Sequence, residues 1–232
     1  MQLHRDIGVT QKTAWFLLHR IREMLNDKAP VMLKGTIEID ETYIGGREKN
    51  KHQSPHARAK RLAKYGGKLG RGTQSTDTKT VVTGLLEREG KVVNYIVPKA
   101  DGANLLPIIQ KRIAKSSVMV TDDLNMYRNV VGLGYQHESV NHSKQEYVKG
   151  TTHTGTIDDY WSLLKRGIIG IYHNVSPKHL HRYCDEFAYR YNTREKKNAE
   201  RFDHAIAKTR RIKKMEFRFL PLKLFLIKFK AA

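Results

Sequence analysis

At residues 36–44 the sequence reads Thr-Ile-Glu-Ile-Asp-Glu-Thr-Tyr-Ile, in which apolar and polar side chains largely alternate. A period of two predicts a β-strand with two distinct faces. The apolar face comprises Ile37, Ile39 and Tyr43, and the polar face comprises Glu38, Asp40 and Thr42. Aspartate is disfavoured inside strands, so a carboxylate at this position needs a partner, solvent or a cation to be tolerated. Asp40 is therefore the first candidate functional residue.

The segments that follow this strand predict a sheet with helices on its faces. Strands at 80–87 and 91–97, joined by a tight turn at Glu89-Gly90, predict an antiparallel hairpin. The remaining predicted elements are a helix at 103–114, a short buried strand at 118–121, a helix at 126–131, an extended segment at 135–140 and a helix from about Thr156 through Leu164. Strands and helices in this order predict an α/β fold with a mixed sheet.

The N-terminal residues 1–30 predict part of a helix-turn-helix, a DNA-binding motif. A turn at Ile7-Gly8-Val9 precedes a longer helix, for which Thr10 is the expected cap. We expect the first helix of the motif to be cut short by the start of the chain. An ordinary amphipathic helix packed on the next domain is the alternative interpretation. The residues of the longer helix that we expect to face DNA are Gln11, Lys12, Thr13 and either His19 or Arg20.

The charge of the chain indicates a polyanionic partner. The 43 Lys and Arg residues outnumber the 23 Asp and Glu residues, and the resulting net charge of +20 adds self-repulsion that folding does not require. Part of the excess lies in a basic loop at 47–72 and in a basic helical C-terminal tail at 193–232. We expect the loop to contact DNA, the alternative being a solvated surface insertion. Its candidate DNA-binding residues are Arg47, Lys49, Lys51, Arg58, Lys60, Arg61 and Lys64.

Composition argues against a membrane protein and a disulfide-rich fold. With 39% hydrophobic and 28% charged residues, the chain has no run approaching the roughly 18 apolar residues of a spanning helix. The one cysteine, Cys184, permits neither an internal disulfide nor a multi-cysteine zinc site. We therefore expect a cytoplasmic protein without membrane contacts.

Two further acids extend the candidate site. Asp122 follows the short buried strand, and Asp158 or Asp159 lies at the start of the late helix. The buried face of that helix is marked by Ile157, Trp161, Leu164 and Ile168, which places Asp158 at its edge and Asp159 toward solvent. Lys165, seven residues beyond Asp158, projects on nearly the same side, where it can reach DNA phosphate.

Together these acids have the chemistry of a metal site. Three carboxylates on two strand positions and a helix start can hold two Mg²⁺ ions for phosphoryl transfer. Individually, each acid could equally be a turn former or a helix cap, and Asp158 and Lys165 could belong to a charged surface. The combination matches the arrangement of ribonuclease-H-like polynucleotidyl transferases.

Three sequence blocks resemble ISXO2-like insertion-sequence transposases, which belong to the DDE superfamily. The blocks are Glu38-Ile-Asp-Glu-Thr-Tyr-Ile-Gly-Gly46, Val120-Thr-Asp-Asp-Leu-Asn-Met-Tyr127 and Thr156-Ile-Asp-Asp-Tyr-Trp-Ser-Leu-Leu-Lys-Arg-Gly167. The resemblance implies a ribonuclease-H-like catalytic domain at 31–192 in which Asp40, Asp122 and Asp158 bind two Mg²⁺ ions, with Mn²⁺ as a substitute. Lys165 is then a catalytic residue that also contacts DNA, together with Arg166.

The same resemblance implies the partners and the location. A transposase acts on the terminal inverted repeats of its element and on target DNA, as a homodimer or larger assembly, in the bacterial cytoplasm and at the nucleoid. This chain departs from the family at Asp158, where Glu or Asn is usual, at Gly155, where Asn is common, and at Asp159, where Gly is common. A remnant that only binds DNA and a ribonuclease-H-like nuclease without strand transfer remain alternatives.

Overall fold

The computed structural model describes residues 2–26, 32–45, 55–56, 59, 63, 79–122, 127, 131–140 and 153–211. Most of the predicted basic loop at 47–72, most of the predicted helix at 126–131 and the run after residue 211 lie outside these residues. Two compact units divide the chain: residues 26–193 form one, and residues 1–25 with 194–232 form the other.

The larger unit is built on a five-stranded mixed sheet. Its strands are β1 (Thr36–Ile44), β2 (Thr80–Glu87), β3 (Val92–Val97), β4 (Val118–Asp122) and β5 (Gln136–Val140), in the order β3-β2-β1-β4-β5. Strand β2 is antiparallel to both β1 and β3, whereas β4 is parallel to both β1 and β5. The predicted hairpin turn is confirmed, with Glu89 in the left-handed region at φ 61°. The predicted mixed sheet flanked by helices is also confirmed.

Each face of the sheet has its own hydrophobic core. On one face, Ile37 and Ile39 pack with helix α3 (Gly102–Arg112), which Asp101 caps by accepting a 3.0 Å hydrogen bond from the amide of Asn104. On the other face, the side chains of β2 that point away from α3 pack with the helices that come later in the sequence. Burial of alternate residues on opposite faces explains why the central strands carry so few exposed side chains.

The second face is covered by one long helical segment and its neighbour. Helix α4 (Gly155–Arg166) continues into a π-helical stretch at Gly167–Tyr172, and helix α5 (Leu180–Asn192) follows a short 3-10 turn at Pro177–His179. A Cβ on Gly167 would lie 1.9 Å from Cζ of Phe187, so only glycine allows this ring to pack against the segment.

The smaller unit contains three described helices. These are α1 (Gln2–Ile7), α2 (Gln11–Leu25) and α6 (Asn198–Arg211), and α2 packs against α6. The predicted cap is present, because Oγ1 of Thr10 accepts a 3.2 Å hydrogen bond from the amide of Thr13. None of the helices described in either unit has the length and apolar character needed to cross a bilayer.

Candidate active site

Asp40 lies in the middle of β1, the central strand of the sheet, and its side chain faces α4. The indole Nε1 of Trp161 on α4 donates a 2.8 Å hydrogen bond to Oδ2 of Asp40. Trp161 is itself 2% exposed, so the donor is held rigidly by the surrounding core. The carboxylate is therefore fixed by the helix that also carries Asp158.

A glycine opposite Asp40 makes room for this contact. Gly84 on β2 is the cross-strand partner of Asp40. A Cβ at Gly84 would lie 2.7 Å from Cζ2 of Trp161 and 3.1 Å from Cδ1 of Ile157. The absence of a side chain at Gly84 thus lets the indole approach the sheet closely and reach Asp40. Sequence reasoning did not identify Gly84 or the hydrogen-bonding role of Trp161.

Asp122 is placed beside Asp40 by the register of the two parallel strands. The last aligned pair of β1 and β4 is Ile39 with Thr121, so Asp40 and Asp122 are the next residues along. Side chains of laterally aligned residues share a face, and neighbouring strands lie about 4.8 Å apart. The two predicted acids therefore belong to one cluster on the α4 side of the sheet.

Asp158 completes the cluster from the first turn of α4. Its amide donates a 3.2 Å hydrogen bond to the carbonyl oxygen of Thr154, and its side chain is exposed. The negative charge of Asp158 raises the pKa of Asp40. Asp159 is not among the groups whose charge raises the pKa of Asp40. The arrangement favours Asp158 as the helix acid of this site, in line with the helical phase.

The electrostatics of Asp40 reflect this crowding of like charges. Burial raises its pKa from 3.8 to about 6, and the charges of Asp158 and Asp122 add to the increase, while hydrogen bonds from the Glu41 amide and from Trp161 oppose it. A carboxylate that is both desolvated and surrounded by acids is stabilised when a cation binds. The cluster is therefore a candidate metal site.

The described side chains do not by themselves enclose a metal ion. Within the described part of the chain, no three His, Cys, Asp or Glu side chains converge closely enough to enclose a single ion. Mg²⁺ sites for phosphoryl transfer commonly use one or two carboxylates and complete the shell with water and substrate phosphate. A metal bound at Asp40, Asp122 or Asp158 would therefore take part of its ligands from water and substrate phosphate.

A half-buried acid of β1, Glu41, lies close to the cluster on the opposite face. Glu41 accepts a hydrogen bond from the hydroxyl of Tyr127, which is 1% exposed. Burial raises the pKa of Glu41 to about 7, and the charges of Asp40 and Asp122 contribute to the increase. The residue was not singled out from the sequence, because its position on the apolar face of the strand suggested no chemistry.

The predicted DNA-binding residues fall into three groups. Lys165 and Arg166 are exposed at the end of α4, and Nε of Arg166 donates to the carbonyl oxygen of Ser162 at 3.3 Å. On α2, Gln11, Lys12 and Arg20 are exposed, Thr13 is half-buried, and His19 is 2% exposed, so Arg20 is the better placed of the two alternatives. The third group lies outside the described residues and comprises Arg47, Lys49, Lys51, Arg58, Lys60, Arg61 and Lys64.

Comparison with known proteins gives two curated relatives. An uncharacterized protein in the transposable element ISH50 of Halobacterium salinarum is 27% identical over 168 residues, which are 71% of this chain and 55% of that protein. The chain thus spans about half the length of this relative. An uncharacterized transposase-like protein of Haemophilus influenzae is 27% identical over 108 residues, which are 47% of this chain and 86% of that protein.

Solved structures and family models complete the comparison. The catalytic core domain of HTLV-2 integrase, in complex with magnesium and in dimeric form, has a TM-score of 0.35 and 8% identity, covering 70% of this chain and 87% of that one; a likeness this loose carries no argument. By contrast, residues 32–192 match the model of the ISXO2-like transposase domain, a range that includes all three acids of the cluster. The chain belongs to the ISXO2-like transposase domain family.

Proposed function

We propose that this chain is a DDE-type transposase that cleaves DNA at the ends of an insertion sequence and joins the freed ends to target DNA. Family membership supports a transposase-type function. The observation that carries the proposal further is the placement of Asp122 and Asp158 near Asp40, whose pKa is raised mainly by burial and further by the charges of these two acids. A cation bound among these carboxylates would offset their mutual repulsion.

In the proposed reaction, water attacks a phosphodiester at the element end, which frees the 3′-hydroxyl of the element and leaves a 5′-phosphate on the flanking DNA. The 3′-hydroxyl then attacks a phosphodiester of the target and displaces a 3′-oxygen of the target strand, which leaves as a hydroxyl. Asp40, Asp122 and Asp158 would hold two Mg²⁺ ions, for which Mn²⁺ would substitute. When bound, these ions provide Lewis-acid activation of the attacking oxygen and stabilise the leaving oxygen. Trp161 orients Asp40, and Lys165 contacts the DNA phosphate beside the cluster.

The proposed partners are the terminal inverted repeats and target DNA, and the proposed assembly is a dimer or larger because two element ends must be paired. We assign DNA contacts to 1–30, to the loop at 47–72 and to the tail at 193–232, and the chemistry to 31–192. A net charge of +20 supports contacts of this kind with a polyanion. The corresponding place of action is the bacterial cytoplasm, at the nucleoid.

Cleavage of a labelled terminal-repeat duplex in the presence of Mg²⁺ or Mn²⁺ tests the proposal. We expect the wild-type chain to nick the duplex and Asp40→Asn to bind it without nicking. Asp159→Asn is the matched control, because it makes the same change at an exposed neighbour of Asp158 and should leave nicking intact. Cleavage retained by Asp40→Asn contradicts the proposal.

The remaining alternatives give different products in the same assay. Covalent joining of labelled donor ends to a target plasmid identifies a transposase. Nicking without joining identifies a nuclease. Binding without nicking, in the wild-type chain and under both metals, identifies a remnant that only binds DNA.

A further inference from the structure

Glu38 is a buried carboxylate that the proposed reaction does not use. It lies two residues before Asp40 on the same face of β1 and is 0% exposed. A buried acid is tolerated only when its oxygens are paired and hydrogen-bonded. Both of its oxygens have partners, and these partners connect β1 to the start of α4.

One oxygen of Glu38 caps the helix that carries Asp158. Oε2 accepts a 2.9 Å hydrogen bond from the amide of Ile157, in the first turn of α4. Helices need acceptors for the amides of their first turn, and a residue just before the helix usually supplies one. Here the N-cap residue, Thr154, makes no side-chain cap hydrogen bond. The capping acceptor comes instead from a strand 119 residues earlier in the chain.

The other oxygen of Glu38 engages Arg88, which is also attached to the start of α4. Nε of Arg88 donates a 3.0 Å hydrogen bond to Oε1 of Glu38, and Nη2 donates a 2.9 Å hydrogen bond to the carbonyl oxygen of His153. The backbone amide of Arg88 is bonded at 2.9 Å to the carbonyl oxygen of Thr36 on β1. We call Glu38, Arg88 and the backbone groups they bind the Glu38–Arg88 bridge.

The bridge acts at the residues adjacent to two of the acids. Ile157 directly precedes Asp158, and Glu38 precedes Asp40 by two positions on one strand face. A shift of the first turn of α4 would move Asp158 relative to Asp40, and the bridge opposes such a shift with a short, charge-assisted contact. We propose that Glu38 is a positioning residue that holds Asp158 at the metal site, an inference that rests on the proposed function.

Binding of Mn²⁺ to the purified chain, followed by the electron paramagnetic resonance signal of the free ion, tests this role without relying on activity. The change is Glu38→Gln, which keeps the shape of the side chain but puts an amide NH₂ against either Arg88 or the Ile157 amide. We expect Mn²⁺ to bind roughly tenfold more weakly, as is typical when the support of a metal ligand is removed. Hydrogen exchange of the first turn of α4 should rise, while that of α5 stays unchanged.

A double-mutant cycle separates positioning from general damage. If Glu38 acts through Asp158, then Glu38→Gln should change Mn²⁺ affinity by less than about twofold in an Asp158→Asn background, since residues acting on one another are not additive. An equal loss in both backgrounds overturns the inference. The matched control is Glu186→Gln, which alters another buried glutamate, one paired with Arg190 within α5, and should leave Mn²⁺ binding unchanged.

The same measurements distinguish failure of the inference from failure of the proposed function. If Asp158→Asn weakens Mn²⁺ binding and Glu38→Gln does not, the inference alone is wrong. If Asp158→Asn has no effect, the assignment of Asp158 to the metal site is wrong and the inference falls with it. Should Glu38→Gln not fold, Arg88→Met removes the two side-chain contacts that Arg88 makes to Glu38 and to the carbonyl oxygen of His153, from a side chain that is 23% exposed, and the same outcomes apply.

Discussion

The indole of Trp161 and the carboxylate of Asp40 are joined by a 2.8 Å hydrogen bond between Nε1 and Oδ2. This contact couples the central strand to the helix that bears Asp158, in a site where burial would otherwise disfavour the charged acid. The hydrogen bond favours the charged form and thereby lowers the pKa of Asp40, opposing the effect of burial. The tryptophan is therefore both a core residue and a hydrogen-bond donor to the candidate site.

Replacing Trp161 with phenylalanine should weaken the site without removing any proposed ligand. The change deletes the Nε1 donor, so the pKa of Asp40 should rise further above about 6. A hydrogen bond to a charged group contributes about 1.5–3 kcal/mol, and its loss corresponds to a rise in the pKa of Asp40 by roughly one pKa unit or more. The pH–rate profile for cleavage of terminal-repeat DNA should have its acidic limb displaced upward by about that amount.

The second tryptophan of the chain provides the control for this change. Trp15 on α2 is 49% exposed, and Trp15→Phe should leave the pH profile in place. A Trp161→Phe enzyme whose acidic limb coincides with that of the wild type would show that the indole donor has no influence on Asp40.

Asp40→Asn should stabilise the protein in the absence of metal while abolishing cleavage. The folded-state pKa of Asp40 is about 6 and the ordinary value is 3.8. Between these pH values the folded chain retains a proton that the unfolded chain has lost, so the contribution of Asp40 to stability falls as pH rises from about 4 to about 6. Asparagine does not ionise and so removes this cost to the stability of the fold. The cost is at most about 3 kcal/mol, because a shift of one pKa unit corresponds to about 1.4 kcal/mol.

Urea unfolding with a chelator present measures this difference. The free energy of unfolding of Asp40→Asn should exceed that of the wild type by about 1–3 kcal/mol above pH 6.5, and the two should converge near pH 4. Added Mg²⁺ should stabilise the wild type more than the variant. Equal stabilities throughout this pH range would mean that the acid cluster imposes no electrostatic cost on the fold.

Gly84→Ala should disturb Asp40 from the neighbouring strand. The new Cβ would lie 2.7 Å from the Trp161 ring, so the indole must move away from the sheet and from Asp40. Overpacking of this kind typically costs about 1–3 kcal/mol, and cleavage should fall with the stability. Gly170→Ala is the control, because a Cβ there meets nothing within 4 Å. Thermal unfolding and cleavage rates of the two variants should differ clearly, and similar behaviour would contradict the close packing at Gly84.

Much of the fold follows from local patterns in the sequence. The alternation at 36–44 predicted a strand with the bounds that β1 has, and Asp40 was placed on the correct face. Helical phase placed Trp161 in the core, which agrees with its burial. These predictions succeeded because the period of side chains along one element determines which of them can be buried together.

The supports of the site escaped prediction because they join residues that are distant in the chain. Nothing near Glu38 in sequence reveals that it caps α4, and nothing near Gly84 reveals the ring that fills its space. The π-helical stretch at Gly167–Tyr172 was likewise missed, since a pattern analysed at 100° per residue does not detect a wider turn. Such contacts are determined by strand order and by how closely helix and sheet approach.

Lys165→Ala tests whether the end of α4 contacts DNA. Each lysine that neutralises a phosphate releases counterions, so its loss should weaken binding to terminal-repeat and unrelated duplexes alike and reduce the slope of log affinity against log salt by about 1. Lys111→Ala is the matched control, because Lys111 is an exposed lysine in the last turn of α3, on the opposite face of the sheet. Fluorescence anisotropy over a salt series provides the slopes. If both variants retain the wild-type slope, the DNA does not pass along α4 and the phosphate contact assigned to Lys165 is wrong. If the slope falls by about 1 in both variants, binding reflects net charge and not a specific path of the DNA over the acid cluster.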